Sequence, residues 1–143
     1  MILHIRLRRD STGYPPFESE EVTASEVGDR LHRLAGTPAF ASGLAVGDTV
    51  RVAHFGGDRW VDQLVEPSGH STVRVVALGS NSLDRLHDEL IRTGCEVFPT
   101  PVPGVIAVDI PAPVPFDSVR SLLQTGRDSG AWDFDIGLQA HKR

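Results

Sequence analysis

The sequence predicts an α+β fold, in which a small β-barrel-like region at the N-terminus packs on a ferredoxin-like (βαββαβ) half at the C-terminus. Three observations predict it. Residues 71–139 read as strand, helix, strand, strand, helix, strand, the order of a split β-α-β sandwich. Residues 1–66 carry about five short period-two runs and little helical periodicity, and such strands bury their apolar faces by curving on themselves. Pro67-Ser68-Gly69-His70-Ser71 is a turn-rich joint, so the chain divides into 1–67 and 68–143.

The first strand is residues 3–7, where Leu3, Ile5 and Leu7 alternate with His4, Arg6 and Arg8. Turn chemistry follows in Asp10-Ser11-Thr12-Gly13-Tyr14-Pro15-Pro16. Residues 20–27 and 30–34 form a hairpin joined at Gly28-Asp29. Residues 36–48 are loop, punctuated by Pro38, Gly43 and Gly47, with Phe40, Leu44 and Val46 plugging a core. A second hairpin pairs residues 49–55 with 60–65 around Gly56-Gly57-Asp58.

In the second half, residues 72–78 place Val73, Val75 and Ala77 on one face. Gly79-Ser80-Asn81-Ser82 offers N-caps for a helix over 83–93, whose apolar stripe is Leu83, Leu86, Leu90 and Ile91, and Gly94 stands at its C′ position. Residues 96–99 are a short strand followed by Pro99, Pro101 and Pro103. Proline cannot donate to a ladder, so this strand is an edge. The strand order 4-1-3-2 of the ferredoxin-like sandwich places it there independently. Residues 105–110 are nearly all apolar, as a central strand requires. The second helix carries Phe116, Val119, Leu122 and Leu123 and ends at Gly126. The last strand alternates Trp132, Phe134, Ile136 and Leu138 with Asp133, Asp135, Gly137 and Gln139, and its acids discourage edge-to-edge pairing. The sheet face without helices is aliphatic, so it should be buried by the N-terminal region.

Charge excludes a broad nucleic-acid surface. The net charge is −5, residues 1–67 hold seven basic and ten acidic side chains, and residues 68–143 hold seven and nine. Phosphate-backbone binding needs clustered cations, and the local cluster here is Arg6, Arg8 and Arg9. Residues 105–110 also lack the stacking aromatics of an RNA-recognition sheet. No window approaches the ~20 apolar residues of a membrane helix, and the N-terminus reads as a strand instead of a signal peptide. With one cysteine, Cys95, no internal disulfide is available. A cytoplasmic protein without membrane, nucleic acid, metal or cofactor is the expectation.

Candidate chemistry is sparse. Ser68 and His70 stand at the joint, where a cleft between the halves could form with Arg74 on its floor, and a serine–histidine pair is a nucleophile and base in principle. Adjacent residues in an extended joint point apart, however, and turn formation explains Ser68-Gly69-His70-Ser71 as well. Glu18, Glu20 and Glu21, after Tyr14, read as a cation site or, more simply, as a solvated strand face. Asp133 and Asp135 share one strand face, either as a carboxylate pair or as edge charges. Cys95 follows a helix C-terminus, whose partial negative charge disfavours a thiolate, and reads as a small buried apolar residue.

Gly13-Tyr14-Pro15-Pro16-Phe17-Glu18-Ser19-Glu20, Gly43-Leu44-Ala45-Val46-Gly47-Asp48 and Pro67-Ser68-Gly69-His70-Ser71-Thr72-Val73-Arg74 together resemble the bacterial family described as domain of unknown function 4265. The resemblance extends through Gly94-Cys95 and Gly130-Ala131-Trp132. It implies no activity and assigns no catalytic residue. It implies an association with immunity proteins, which small bacterial proteins of this kind often are. The expected function is a non-catalytic protein-binding module, most concretely an immunity protein that neutralises a toxin with a basic surface. Its contacts would come from Tyr14, Glu18 and Glu20, or from Asp133 and Asp135. The alternative is a small enzyme or ligand-binding protein using a cleft near Ser68, His70 and Arg74.

Overall fold

The computed structural model describes residues 1–141. Its first five strands are β1 (Ile2–Arg6), β2 (Ser19–Gly28), β3 (Leu31–Leu34), β4 (Thr49–Phe55) and β5 (Asp58–Glu66). They pair in chain order and close into a ring. Each neighbour pair is antiparallel except the closure, where β1 meets β5 in parallel through the single pair His4↔Trp60. The period-two pattern places Leu3, Ile5, Val22, Ala24, Leu34, Val50 and Val52 inside, all buried. The turn between β2 and β3 falls one residue later than Gly28-Asp29: Gly28 ends β2, and Arg30 takes the left-handed position at φ 56°. Phe40 and Leu44 plug the ring as expected, whereas Val46 is half-buried.

The second half contains β6 (Ser71–Ala77), α1 (Asp84–Thr93), β7 (Glu96–Pro99), β8 (Val105–Ile110), α2 (Phe116–Ser129) and β9 (Trp132–Leu138). Its sheet runs β7-β8-β6-β9 with every pair antiparallel. The proline-flanked β7 and the acidic β9 are the edges, and β8 is central. One face carries Val73, Val75, Val108, Ile110 and Phe134 against Leu86, Leu90, Val119 and Leu123 of the helices. The opposite face is covered by the first half: Val105 and Ala107 belong to the same buried cluster as Leu3, Ile5, Phe40 and Leu44. Polar contacts stitch the same seam. Thr72 Oγ1 donates to the Leu44 carbonyl at 3.2 Å, and Gly43 N donates to the Gly137 carbonyl at 3.0 Å.

Three local expectations need correction. Gly126 does not end α2. The helix continues to Ser129, and Gly130 at φ 78° is its C-terminal cap. Ile91 does not belong to the buried stripe of α1, because it is 48% exposed while Leu86 and Leu90 are enclosed. The first residue of the α1 cap is Leu83 without a side-chain bond, and Ser82 Oγ accepts the Asp84 N–H at 3.1 Å instead. Among the described residues no helix is long and apolar enough to cross a membrane.

Candidate functional site

Two places collect polar side chains with specific partners. The first is the joint. Asp48, fully buried at the foot of β4, accepts Ala45 N–H at 2.9 Å and Ser68 N–H at 2.8 Å. Ser68 Oγ donates to the Val46 carbonyl at 2.7 Å and accepts the His70 N–H at 3.2 Å. The hydroxyl is therefore engaged in holding the joint. His70 Nδ1 lies 2.9 and 3.1 Å from the two carboxyl oxygens of Asp109 on β8. A carboxylate only accepts, so this contact places the proton on Nδ1 and leaves Nε2 as the acceptor of the neutral ring. Asp109 is 2% exposed, and its burial pushes the carboxyl above the usual carboxylate range against the pull of the His70 hydrogen bond.

A second histidine closes the joint from the C-terminal side. His141 Nε2 lies 3.0 Å from the Pro111 carbonyl, which can only accept, so in the neutral ring Nδ1 accepts from Ser71 Oγ at 2.6 Å. Ser71 Oγ also accepts the Ala140 and His141 N–H groups. Ser71 is completely buried, and this serine–histidine pair clips the end of the chain to β6.

The second place is a groove of about 240 Å³ over the free end of β6 and β9. Val76 and Leu78 form its apolar floor, with Tyr14, Arg74, Asp133 and Asp135 around it. The ladder sets Arg74 beside Asp135, and the guanidinium grips that carboxylate from Nε at 3.2 Å and Nη2 at 2.8 Å. Its Nη1 donates to the Phe40 carbonyl at 2.8 Å. Asp133 pairs with Arg127 at 2.7 Å. The Phe134 N–H and this arginine, in that order, hold its carboxyl below the usual range. Both side chains remain open, 60% exposed for Asp133 and 58% for Asp135.

The structure thus gathers Tyr14, Arg74, Asp133 and Asp135 at one groove and leaves Ser68 and His70 at the joint. Arg74 does not floor a cleft with His70, because all three of its guanidinium nitrogens are engaged by Asp135 and Phe40. Glu18 is exposed. Glu20 is not part of a solvated face: its carboxyl oxygens accept three successive N–H groups of Ala39, Phe40 and Ala41 at 2.5, 3.0 and 3.0 Å. It fastens the loop after β3 onto β2. Among the described residues there is no cluster of three or more potential metal ligands.

Residues 20–134 match the family described as "Domain of unknown function (DUF4265)". The chain belongs to that family. The DUF4265 match spans Asp48, Ser68, His70, Arg74, Asp109 and Asp133, while Tyr14, Asp135 and His141 lie outside it. Among solved structures, one described as a novel crystal structure of a hypothetical protein from Neisseria gonorrhoeae is similar in fold. Its TM-score is 0.84 at 16% identity, covering 99% of this chain and 96% of that one. No curated protein matches the chain.

Sequence reasoning missed Asp48, Asp109 and His141 in this DUF4265 chain, and named Ser71 without its partner. Asp109 carried a signal, an acid inside an otherwise apolar central strand. Cys95 behaves as a buried apolar residue: it is 3% exposed, and burial, with Asp109 adding to it, pushes the thiol from 9.0 to about 11. Because the folded pKa is raised, the group's contribution to stability is present below pH 9 and is lost as pH rises toward about 11. Cys95→Ala is therefore expected to flatten stability against pH in that window, measured by urea unfolding. At pH 8 native Cys95 should react with iodoacetamide roughly 100-fold more slowly than the unfolded chain.

Proposed function

We propose that this chain is a non-catalytic protein-binding module of the cytoplasm, built from a small β-barrel and a ferredoxin-like sandwich, and that it neutralises a bacterial toxin bearing a basic surface. The observation that carries this reading is the groove in which Tyr14, on an apolar floor, stands beside two exposed carboxylates, Asp133 and Asp135, each held on one side by an arginine. An aromatic anchor with a charged rim is the composition of a recognition surface, and carboxylates favour a basic partner both in encounter and in register. The net charge of −5 acts in the same direction over longer range.

The partner to test first is the product of the neighbouring gene. Co-expression should rescue growth against it, and the purified proteins should form a complex. Asp133→Lys combined with Asp135→Lys should weaken that complex about tenfold or more; because it also removes the partners of Arg127 and Arg74, the melting temperature of the variant is measured first and binding is compared below it. A stable complex indifferent to the double reversal would move the binding surface elsewhere, and no interaction with any neighbouring product would sink the immunity reading.

The His70–Asp109 pair favours a second reading, a small ligand or substrate held at the joint, because a buried carboxylate orienting an imidazole is how a base is prepared. A thermal-shift screen against metabolites tests it. The reading requires a compound that stabilises the wild type and fails to stabilise His70→Ala.

A further inference from the structure

The closed ring of the first half has one weak closure. β1 and β5 share the single pair His4↔Trp60. Beyond it, Leu7 N–H still donates to the Glu18 carbonyl on the β2 side at 2.9 Å. Backbone groups alternate direction along a strand, so those of Arg6, the last residue of β1, point the other way. On that side lies a groove of about 450 Å³, bounded by residues 5–8 and residues 40–43, with no residue of β5 in its lining. The ring is open there, and the edge of β1 faces a cavity where a neighbouring strand would stand.

Two features suit this groove to holding a partner segment. Its far wall is fixed. Glu20 holds the N–H groups of Ala39, Phe40 and Ala41, Arg74 holds the Phe40 carbonyl, and the Gly137 carbonyl holds Gly43 N–H. A groove with a rigid wall loses little entropy on filling. Its near wall carries two exposed arginines, and among the described residues neither Arg6 nor Arg8 belongs to an ion pair. Arg6 is steadied by Trp60, its guanidinium 5.3 Å from the ring centroid.

We propose that this groove accepts an extended acidic segment of a partner protein, which adds as a strand to the free edge of β1 while its carboxylates meet Arg6 and Arg8. Main-chain hydrogen bonds supply affinity in this mode, and alternate side chains supply selectivity. The surface is separate from the Tyr14 groove, and its charge preference is the opposite.

The probe is a synthetic eight-residue peptide alternating glutamate and valine, titrated into the full ¹⁵N-labelled chain. Amide shifts are expected at residues 5–8 and 40–43, with slowed hydrogen exchange at the Arg6 N–H group. Replacing the peptide's glutamates by lysines should weaken binding about tenfold or more, as should N-methylating alternate peptide amides. Arg6→Glu with Arg8→Glu should do the same, whereas Asp133→Asn, which leaves the Arg74–Asp135 pair and the far wall in place, should not. If the double arginine variant does not fold, Arg8→Gln, at an exposed side chain, together with weakening by salt, decides the point. No shifts at millimolar peptide, shifts confined to other residues, or equal affinity for the N-methylated peptide would each overturn the proposal.

Discussion

Asp48→Ala is expected to lower the unfolding free energy by about 2–4 kcal/mol, from the cost of leaving the enclosed Ala45 N–H and the half-buried Ser68 N–H without their acceptor. The side chain is completely buried, and its two oxygens serve different segments: Oδ2 accepts Ala45 N–H from the loop before β4, and Oδ1 accepts Ser68 N–H from the joint. Asp48→Asn separates acceptor from volume. It keeps the size but presents an NH₂ to one of the two N–H groups, so the loss should fall to about 1–3 kcal/mol. Urea unfolding of both variants checks the order, alanine below asparagine below wild type. The joint also carries His70, so the Asp48→Ala chain should show altered His70 and Asp109 resonances before it unfolds. Equal stability of all three proteins would mean that the loop and the joint hold their places without this residue.

What the sequence made legible was the periodic part. Leu3, Ile5 and Leu7, or Trp132, Phe134 and Ile136, declare a strand and its inner face because side-chain direction alternates by geometry. Gly94 declared a helix end because an αL position follows the last turn of α1. Even the burial of the aliphatic sheet face followed from composition, since Val105 and Ala107 needed a cover and found the first half. The polar framework was hidden for a different reason. Glu20 and Asp48 bind main-chain N–H groups, which every residue but proline offers, so the partner sequence leaves no mark. An acid in a strand then looks the same whether it faces water or fastens a loop nineteen residues away. The Arg74–Asp135 pair lies between these cases. Strand order puts β6 beside β9, and both residues sit on the helix-free face, so topology predicts their meeting once register is known. His32 stays outside both accounts: it is 3% exposed inside the ring, and neither nitrogen has a hydrogen-bond partner.

Gly126→Ala should be among the most damaging single-methyl changes in the chain. A glycine near the end of a helical pattern suggests a stop, and Gly130 is the residue that fills that role. Gly126 is instead the bed for an indole. A Cβ built there would sit 1.9 Å from Trp132 Cε2 and 2.0 Å from Cζ2, far inside van der Waals contact. The ring has little freedom to retreat, because its Nε1 donates to the Leu123 carbonyl at 2.9 Å and its backbone lies in β9. Ordinarily alanine for glycine inside a helix gains about 0.5–1 kcal/mol. Here that gain is set against overpacking of about 1–3 kcal/mol or more and the loss of the indole hydrogen bond, so the net change should be about 1–4 kcal/mol destabilising. The clash has one cause, and removing the indole removes it. In the Trp132→Leu background, Gly126→Ala should become neutral or stabilising, and the double-mutant cycle should return a coupling of about 2 kcal/mol or more. Additive effects would place the strain of Gly126→Ala somewhere other than the helix–strand contact that closes the second half.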